Sequence, residues 1–310
     1  MTHPYATVEY AGSLPHIGEA LEVPEWDAQV LVRATPGGER RDATGPYPLS
    51  VIARDADLAA GLERLRAAGL VSVVLVFDDR LRSATSAMET AFDVARPFKS
   101  HFLYDRSLGP LALGKHHRYE LRRALTRVEV GEFALADHLP AWEQLYGQLA
   151  ARHGFGGLHA FPAVHHQVLA AMPGLRAFGA FIAGELVSAH LFVTHDGYAV
   201  SHLAASAVEG YQTGAAYAVN DLAVTALTDC DVINFGGGAG LGEDTADGLV
   251  RFKKGFSNRT APSWLCGKVL DRAGYQTLAA GHGDQGFFPA YRGARAQVQA
   301  STSQPFSQTR

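Results

Sequence analysis

Three apolar runs lie almost end to end between residues 175 and 204, and they restrict the fold more than any other stretch. Residues 175–182, 186–194 and 198–204 are each of strand length. Ala183-Gly184-Glu185 separates the first pair and His195-Asp196-Gly197 the second. Asp-Gly between apolar runs marks a hairpin, because the turn needs positive φ and these residues tolerate it. The stretch therefore predicts a three-strand antiparallel meander. Residues 214–228 are Ala-rich and helical in pattern, and 232–235 read as a short strand. A helix over 247–254, a strand over 264–270 and a helix over 272–280 follow. The β-β-β-α-β-α-β order predicts an α/β (α+β) fold whose mixed sheet is flanked by helices.

The first third alternates the same two patterns. Residues 30–32 and 49–52 read as short strands. Residues 57–68 carry leucines at 58, 62 and 65, a helical spacing that Gly69 ends. The β-branched run 71–77 is of buried-strand type. Residues 83–96 look helical with Pro97 as the stop, and 101–104 form another short strand. Helices are expected over 115–127, 136–153 and 164–172. A chain of 310 residues holds two ordinary domains, expected at 1–130 and 131–310. No sequence repeat and no Pro/Ser-rich linker is visible.

Charge and composition exclude several classes. The formal net charge of −4 gives no global basic field, so DNA is not an expected partner. The two cysteines, Cys230 and Cys266, lack metal-ligand spacing and read as reduced thiols. There is no apolar run of about 18 residues, so no membrane span is expected. The N-terminus carries Glu9, Glu19 and Glu22 without a basic-then-apolar pattern, so a cytoplasmic location is expected. His116–His117 and His165–His166 are adjacent pairs, which a helix points to different faces, so no metal is expected. Gly-x-Ser-x-Gly is absent, and 236–242 does not follow the dinucleotide-binding rule.

Three constellations can carry chemistry. Val208-Glu209-Gly210 turns the chain after the meander, and Gly214, Ala215 and Ala216 open the next helix. Small residues there expose backbone N–H groups, and a helix N-terminus favours anions; the same residues also serve packing alone. Lys115, Arg118 and Arg122 share one face of a helix whose Leu121 and Leu125 are expected toward the core. That ridge suits phosphates, and it equally describes a solvated basic helix. Finally, 252–256 places Phe252 and Phe256 at i, i+4 just beyond the triple glycine 236–238. If both rings are buried, Lys253 is aimed by its neighbours and can meet developing negative charge.

In this order the segments resemble the FemABX-like acyltransferases, which include aminoacyl-tRNA-dependent peptidyltransferases and wider GNAT-like acetyltransferases. The match rests on K-x-x-R-Y-E-x-R-R-A at 115–124, the meander with its x-x-G-x-A helix start, the glycines at 236–238 and F-K-x-x-F at 252–256. It spans about residues 100–275. Upstream, only the element order and Gly45-Pro46-Tyr47 fit. The resemblance implies two GNAT-like domains with a cleft between them. It implies an N-acyltransferase that moves a group from acyl-CoA (such as acetyl-CoA) or charged tRNA to a small-molecule or nucleotide-linked amine. Lys253, with Phe252, would be catalytic. Tyr211, Gln212, Gly214, Ala215 and Ala216 would grip the donor, although the family prefers Gln or Arg where Tyr211 stands. Lys115, Arg118, Arg122, His202 and Gly237 would bind substrate. His190, His202, Glu243 and Asp244 are candidates for the general base. The departure at Tyr211 keeps a non-catalytic binding protein on the same fold as the alternative.

Overall fold

The structure is a computed structural model and describes residues 2–81, 85–154, 160–238, 248–282 and 286–293. Its strands along the chain are β1 (Glu19–Val23), β2 (Ala28–Ala34), β3 (Arg41–Thr44), β4 (Ser72–Phe77), β5 (Val94–Asp105) and β6 (Glu129–Phe133). They continue with β7 (Leu175–Ile182), β8 (Glu185–His195), β9 (Tyr198–Ser206), β10 (Val232–Asn234) and β11 (Arg259–Val269). The helices are α1 (Val8–Gly12), α2 (Leu58–Ala67), α3 (Thr85–Ala91), α4 (Lys115–Leu125) and α5 (Leu139–His153). Then come α6 (Ala163–Ala171), α7 (Val208–Thr213), α8 (Ala215–Ala226), α9 (Gly248–Gly255) and α10 (Arg272–Ala279).

All eleven strands join one mixed sheet in the order β1-β2-β3-β4-β11-β5-β10-β9-β8-β7-β6. The mixed α/β class and the meander β7–β9 are as the sequence predicts. Each half of the sheet repeats one topology. Antiparallel β1-β2-β3 is followed by α2 and by β4 parallel to β3. Antiparallel β7-β8-β9 is followed by α8 and by β10 parallel to β9. The repeat lies in topology and not in sequence, so it leaves no visible period. The long strands β5 and β11 lie between the halves, and β11 pairs with both β4 and β5.

Several elements differ from expectation for physical reasons. β5 runs through Pro97, where 83–96 reads as one helix. Pro97 faces Trp264 at the register shift in β11, where a missing N–H donor costs no regular ladder bond. Residues 49–52 form no strand; Pro46 and Pro48 precede them, and Ser50 makes one backbone bond to Val76 at 2.6 Å. β1 and β6 are the two outer strands with little buried surface, so neither shows a clean alternation. On α4 the buried residues are His117 and Ala124, while Leu125 is 51% exposed. The residues between β9 and α8 are helical, as α7, rather than a simple turn.

Three apolar clusters hold the sheet. One lies under α2 with Trp26, Leu62 and Phe77. A second packs α4, α8 and α9 on β7–β10 through Ala218, Phe192, Ile233 and Phe256. The third joins the halves, because Tyr5, Tyr10 and Leu31 pack in one cluster with Trp142, Leu191 and Val200. Burial at this scale is the main stabilising term, at about 1.5–3 kcal/mol per large apolar side chain.

Candidate active site

The site begins with a defect in β9. Leu191 pairs with Leu203 and Phe192 with Ser201, so His202 is an extra, bulged residue. A bulge bends its strand and ends regular pairing. Beyond this point β9 and the chain after β10 separate. β10 pairs with β9 only from Tyr198 to Val200. The next residues stay with β5 instead: Phe235 N–H donates to Phe102 O at 2.9 Å, and Phe102 N–H to Gly236 O at 3.1 Å. A wedge therefore opens between Ser201–His202 and Phe235–Gly237.

Lys253 reaches this wedge from α9. Its Nζ donates to Gly237 O at 2.7 Å, and a Cβ on Gly236 would lie 3.5 Å from it. α9 is fixed by aromatic contacts. Phe256 is fully buried, 5.2 Å from His117 of α4, and Phe252 lies 4.9 Å from Tyr217 of α8, centroid to centroid. His117 Nε2 hydrogen-bonds the Phe252 carbonyl at 3.0 Å. The Phe252–Phe256 spacing thus leaves Lys253 on the side that faces the glycines.

On the α8 face of the wedge, His190 lies between Ser201 and Asn220. Asn220 Nδ2 donates to Ala216 O at 2.9 Å, so its Oδ1 accepts from His190 Nδ1–H at 3.1 Å. His190 Nε2 then accepts the Ser201 hydroxyl at 2.7 Å. Burial, followed by the positive charge of Lys253, lowers the His190 pKa to about 3.

On the opposite face, β5, β10 and β9 place a second polar group in register. Asp105, Val232 and Tyr198 form one row; Leu103, Asn234 and Val200 form the next. Asp78, the first residue after β4, reaches across to both rows. Its Oδ2 accepts from the Tyr198 hydroxyl at 2.5 Å and from Asn234 Nδ2 at 3.1 Å. Its Oδ1 accepts from the Arg80 and Leu81 amides at 3.0 and 2.8 Å. Burial raises the Asp78 pKa above the ordinary carboxylate value, against the pull of these four hydrogen bonds. Asn234 Nδ2 also donates to His101 Nδ1 at 3.1 Å, which leaves the His101 proton on Nε2. Burial, then Lys253 and Lys99, lower the His101 pKa to about 4. Lys253 thus acts electrostatically on a histidine of each face. A cavity of about 50 Å³ lies against Asp78, Tyr198, Asn234 and His101.

The other expected site residues fall in three places. Lys115, Arg118 and Arg122 are exposed on α4. Gly214 joins α7 to α8 at φ 74°, a left-handed position that favours glycine. Ala215 is buried, Ala216 half-buried, and Tyr211 is exposed under the Arg152 guanidinium at 4.4 Å. Gln212 offers its backbone carbonyl to Arg123 at 2.7 Å. Glu120 stands beside the start of α8: a Cβ on Gly214 would lie 3.4 Å from its Oε2, and that oxygen pairs with Arg123 Nη1 at 2.9 Å. His202 is buried away from the wedge, with its Nδ1 3.1 Å from the Tyr5 hydroxyl and its Nε2 3.3 Å from His165 Nε2. Burial, then the charge on His166, lower its pKa to about 3. Glu243 and Asp244 lie outside the described residues. Sequence reasoning missed Asp78, Tyr198, Asn234, His101, Ser201 and Asn220. Two left a signal: Asp78 ends a β-branched run, and Asn234 interrupts an apolar one. Among the described residues, no group of three His, Cys, Asp or Glu is placed to hold a metal. None of their helices is long and apolar enough to cross a membrane.

No protein-family profile matches the chain, and no curated protein matches it. Solved structures do. FemX superposes with a TM-score of 0.62 at 12% identity, over 88% of this chain and 93% of its own. The chain has the FemX fold. A domain ascribed to a lysylphosphatidylglycerol synthetase of Agrobacterium fabrum superposes at 0.60, with 14% identity over 87% of this chain and 89% of that one. L-PGS of Bacillus licheniformis follows at 0.55, with 13% identity over 88% and 95%. At these identities the likeness is one of fold, and it spans both halves of the sheet.

Proposed function

We propose that this protein is an N-acyltransferase in which an amine attacks an acyl or aminoacyl donor directly, with both substrates held at the wedge. The observation that carries this reading is the position of Lys253, fixed by Gly237 where β9 leaves β10. The donor carbonyl enters the wedge. The amine nitrogen attacks its carbon, and the electron pair moves to the carbonyl oxygen. Lys253 stabilises that oxyanion, an interaction stronger in the transition state than in the ground state. The tetrahedral centre then collapses with cleavage of the C–S or C–O bond to the leaving group. The amine approaches from the cavity face, where Asp78 takes its proton. A raised carboxylate pKa suits that role, because it moves the base toward the working pH. His190 and His202 are weak candidates, since burial lowers the basicity of both.

The donor is better read as an aminoacyl ester than as acyl-CoA. Glu120 adds a carboxylate beside Gly214 at the start of α8, although Arg123 pairs with it, which makes that helix end less favourable to a pyrophosphate. The exposed Lys115, Arg118 and Arg122 offer phosphate contacts elsewhere. Lys253→Met, similar in length and uncharged, should lower kcat/KM about 100- to 1,000-fold with little change in melting temperature. The assay is transfer from charged tRNA and from acetyl-CoA in parallel. Full activity of the variant would remove Lys253 from the chemistry, and no transfer from either donor by the parent protein would sink the proposal.

A further inference from the structure

The cavity beside Asp78 is lined by two arginines and the exposed Asp79 as well as the buried carboxylate. Asp78 is 2% exposed, Tyr198 3% and Asn234 1%, so they form its inner wall. Arg80 is half-buried and Arg259 exposed, so they stand toward solvent. Both guanidiniums act on the same place. The Asp105 carboxylate is held below its ordinary pKa first by the Ser107 hydroxyl and then by the charges of Arg259 and Arg80. The Arg259–Asp105 pair is loose, at 3.5 Å, while Asp105 Oδ1 accepts from Ser107 Oγ at 2.6 Å. A ligand anion can therefore replace Asp105 as the partner of Arg259 without stranding that carboxylate. Arg80 is held in place by Tyr198, 5.1 Å from its ring, and by Asp196 O at 3.0 Å.

We propose that the acceptor is a short amine carrying an anionic oxygen group a few bonds from its nitrogen, with the amino group at Asp78 and the anion at Arg80 and Arg259. This rests on the acyltransferase reading of the same site and names its substrate class. Three features converge on it. A buried carboxylate with Tyr198 and Asn234 around it recognises an ammonium or amine. Two guanidiniums bind carboxylate or phosphate through planar, often bidentate contacts. Asp78 and the two arginines line one small cavity of about 50 Å³ that opens to solvent on the arginine side, so a short spacer is enough to join the two contacts. An alkylamine without an anionic group would fill the inner part and leave the arginines to water.

Binding measured without donor tests this directly, by calorimetry with 2-aminoethyl phosphate, β-alanine and n-propylamine. The amino-anions should bind at least about tenfold more tightly than propylamine, given the strength of charge-assisted contacts. The tighter of the two names the anion as phosphate or carboxylate. Arg259→Gln should bring their affinity down to that of propylamine, and Arg259→Lys should recover part of it. Asp78→Asn should weaken all three amines but not ethyl phosphate or propionate. Equal binding of the amino-anions and propylamine, or an unchanged ratio in Arg259→Gln, would overturn the proposal. Because no donor is present, selective binding without any transfer activity would count against the acyltransferase reading alone, and transfer to simple alkylamines without selection would count against this one alone.

Discussion

Lys253 comes to the wedge from α9, and Asp78 comes to the same strands from the turn after β4. On the two faces of the wedge, His190 and His101 are neutral at any physiological pH, held to about 3 and about 4. A histidine with so low a pKa is unprotonated above it, so neither can supply the acidic limb of a pH profile near neutrality. Asp78 can. It must be ionised to accept a proton, and its raised pKa moves that limb upward from the ordinary carboxylate value of about 4. We expect kcat/KM to rise with pH through a midpoint above that value. His190→Gln, which keeps hydrogen-bonding capacity but removes the imidazole, should keep the midpoint, whereas Asp78→Asn should abolish the limb. A midpoint that moves in His190→Gln would return the histidine to the proton path. The helix that carries Lys253 was legible in the sequence because Phe252 and Phe256 show helical spacing. Asp78, Tyr198 and Asn234 were not, because they meet only through strand order, and no local period encodes a contact between the first and second halves of the sheet.

At the level of elements, α9 matters for where it holds its lysine. Gly255 allows that placement: a Cβ there would lie 2.0 Å from His117 Nε2, and the ring cannot retreat without giving up its bond to Phe252 O. Gly255→Ala should therefore push α9 away from α4 and carry Lys253 off Gly237. The expected result is a fall in kcat of at least about tenfold with a modest drop in melting temperature, since sub-ångström placement controls the rate more than stability. His117→Ala in the same chain should recover activity by making room, a coupling that a double-mutant cycle measures. Wild-type activity in Gly255→Ala alone would show that the α4–α9 contact does not position the lysine. The meander and most helices were legible because their periods of 2 and 3.6 are local properties. β3 was not. Its Asp42 is fully buried with Arg33, Arg292 and Tyr291 as partners, so the strand reads as polar until those partners are known.

Across the whole molecule, buried histidines tie the N-terminal residues to the second half of the sheet. Ser13 meets His165 Nδ1 at 2.8 Å, His165 meets His202, and His202 meets Tyr5. Trp142 Nε1 donates to His166 Nδ1 at 3.0 Å beside them. Burial is the first cause of every shift: His165 falls to about 2, His202 to about 3 and His166 to about 4. The sign follows from proton binding. Unfolded histidines titrate near 6.5, so below that pH the unfolded chain binds protons that the folded one refuses. Their contribution is complete above about pH 6.5 and is lost as pH falls toward the folded values. Even two such groups remove about 3 kcal/mol per pH unit, against a total stability of about 5–15 kcal/mol. We expect a melting temperature that is flat from pH 7 to 8 and falls steeply from pH 6 to 4. His165→Gln keeps hydrogen-bonding capacity but cannot charge, so it should flatten that fall even if it lowers stability at pH 7. The same slope in parent and variant would mean that the cluster opens before it titrates. The N-terminal segment would then be the first part of the molecule to detach in acid, and hydrogen exchange at Tyr5 and Tyr10 would report it.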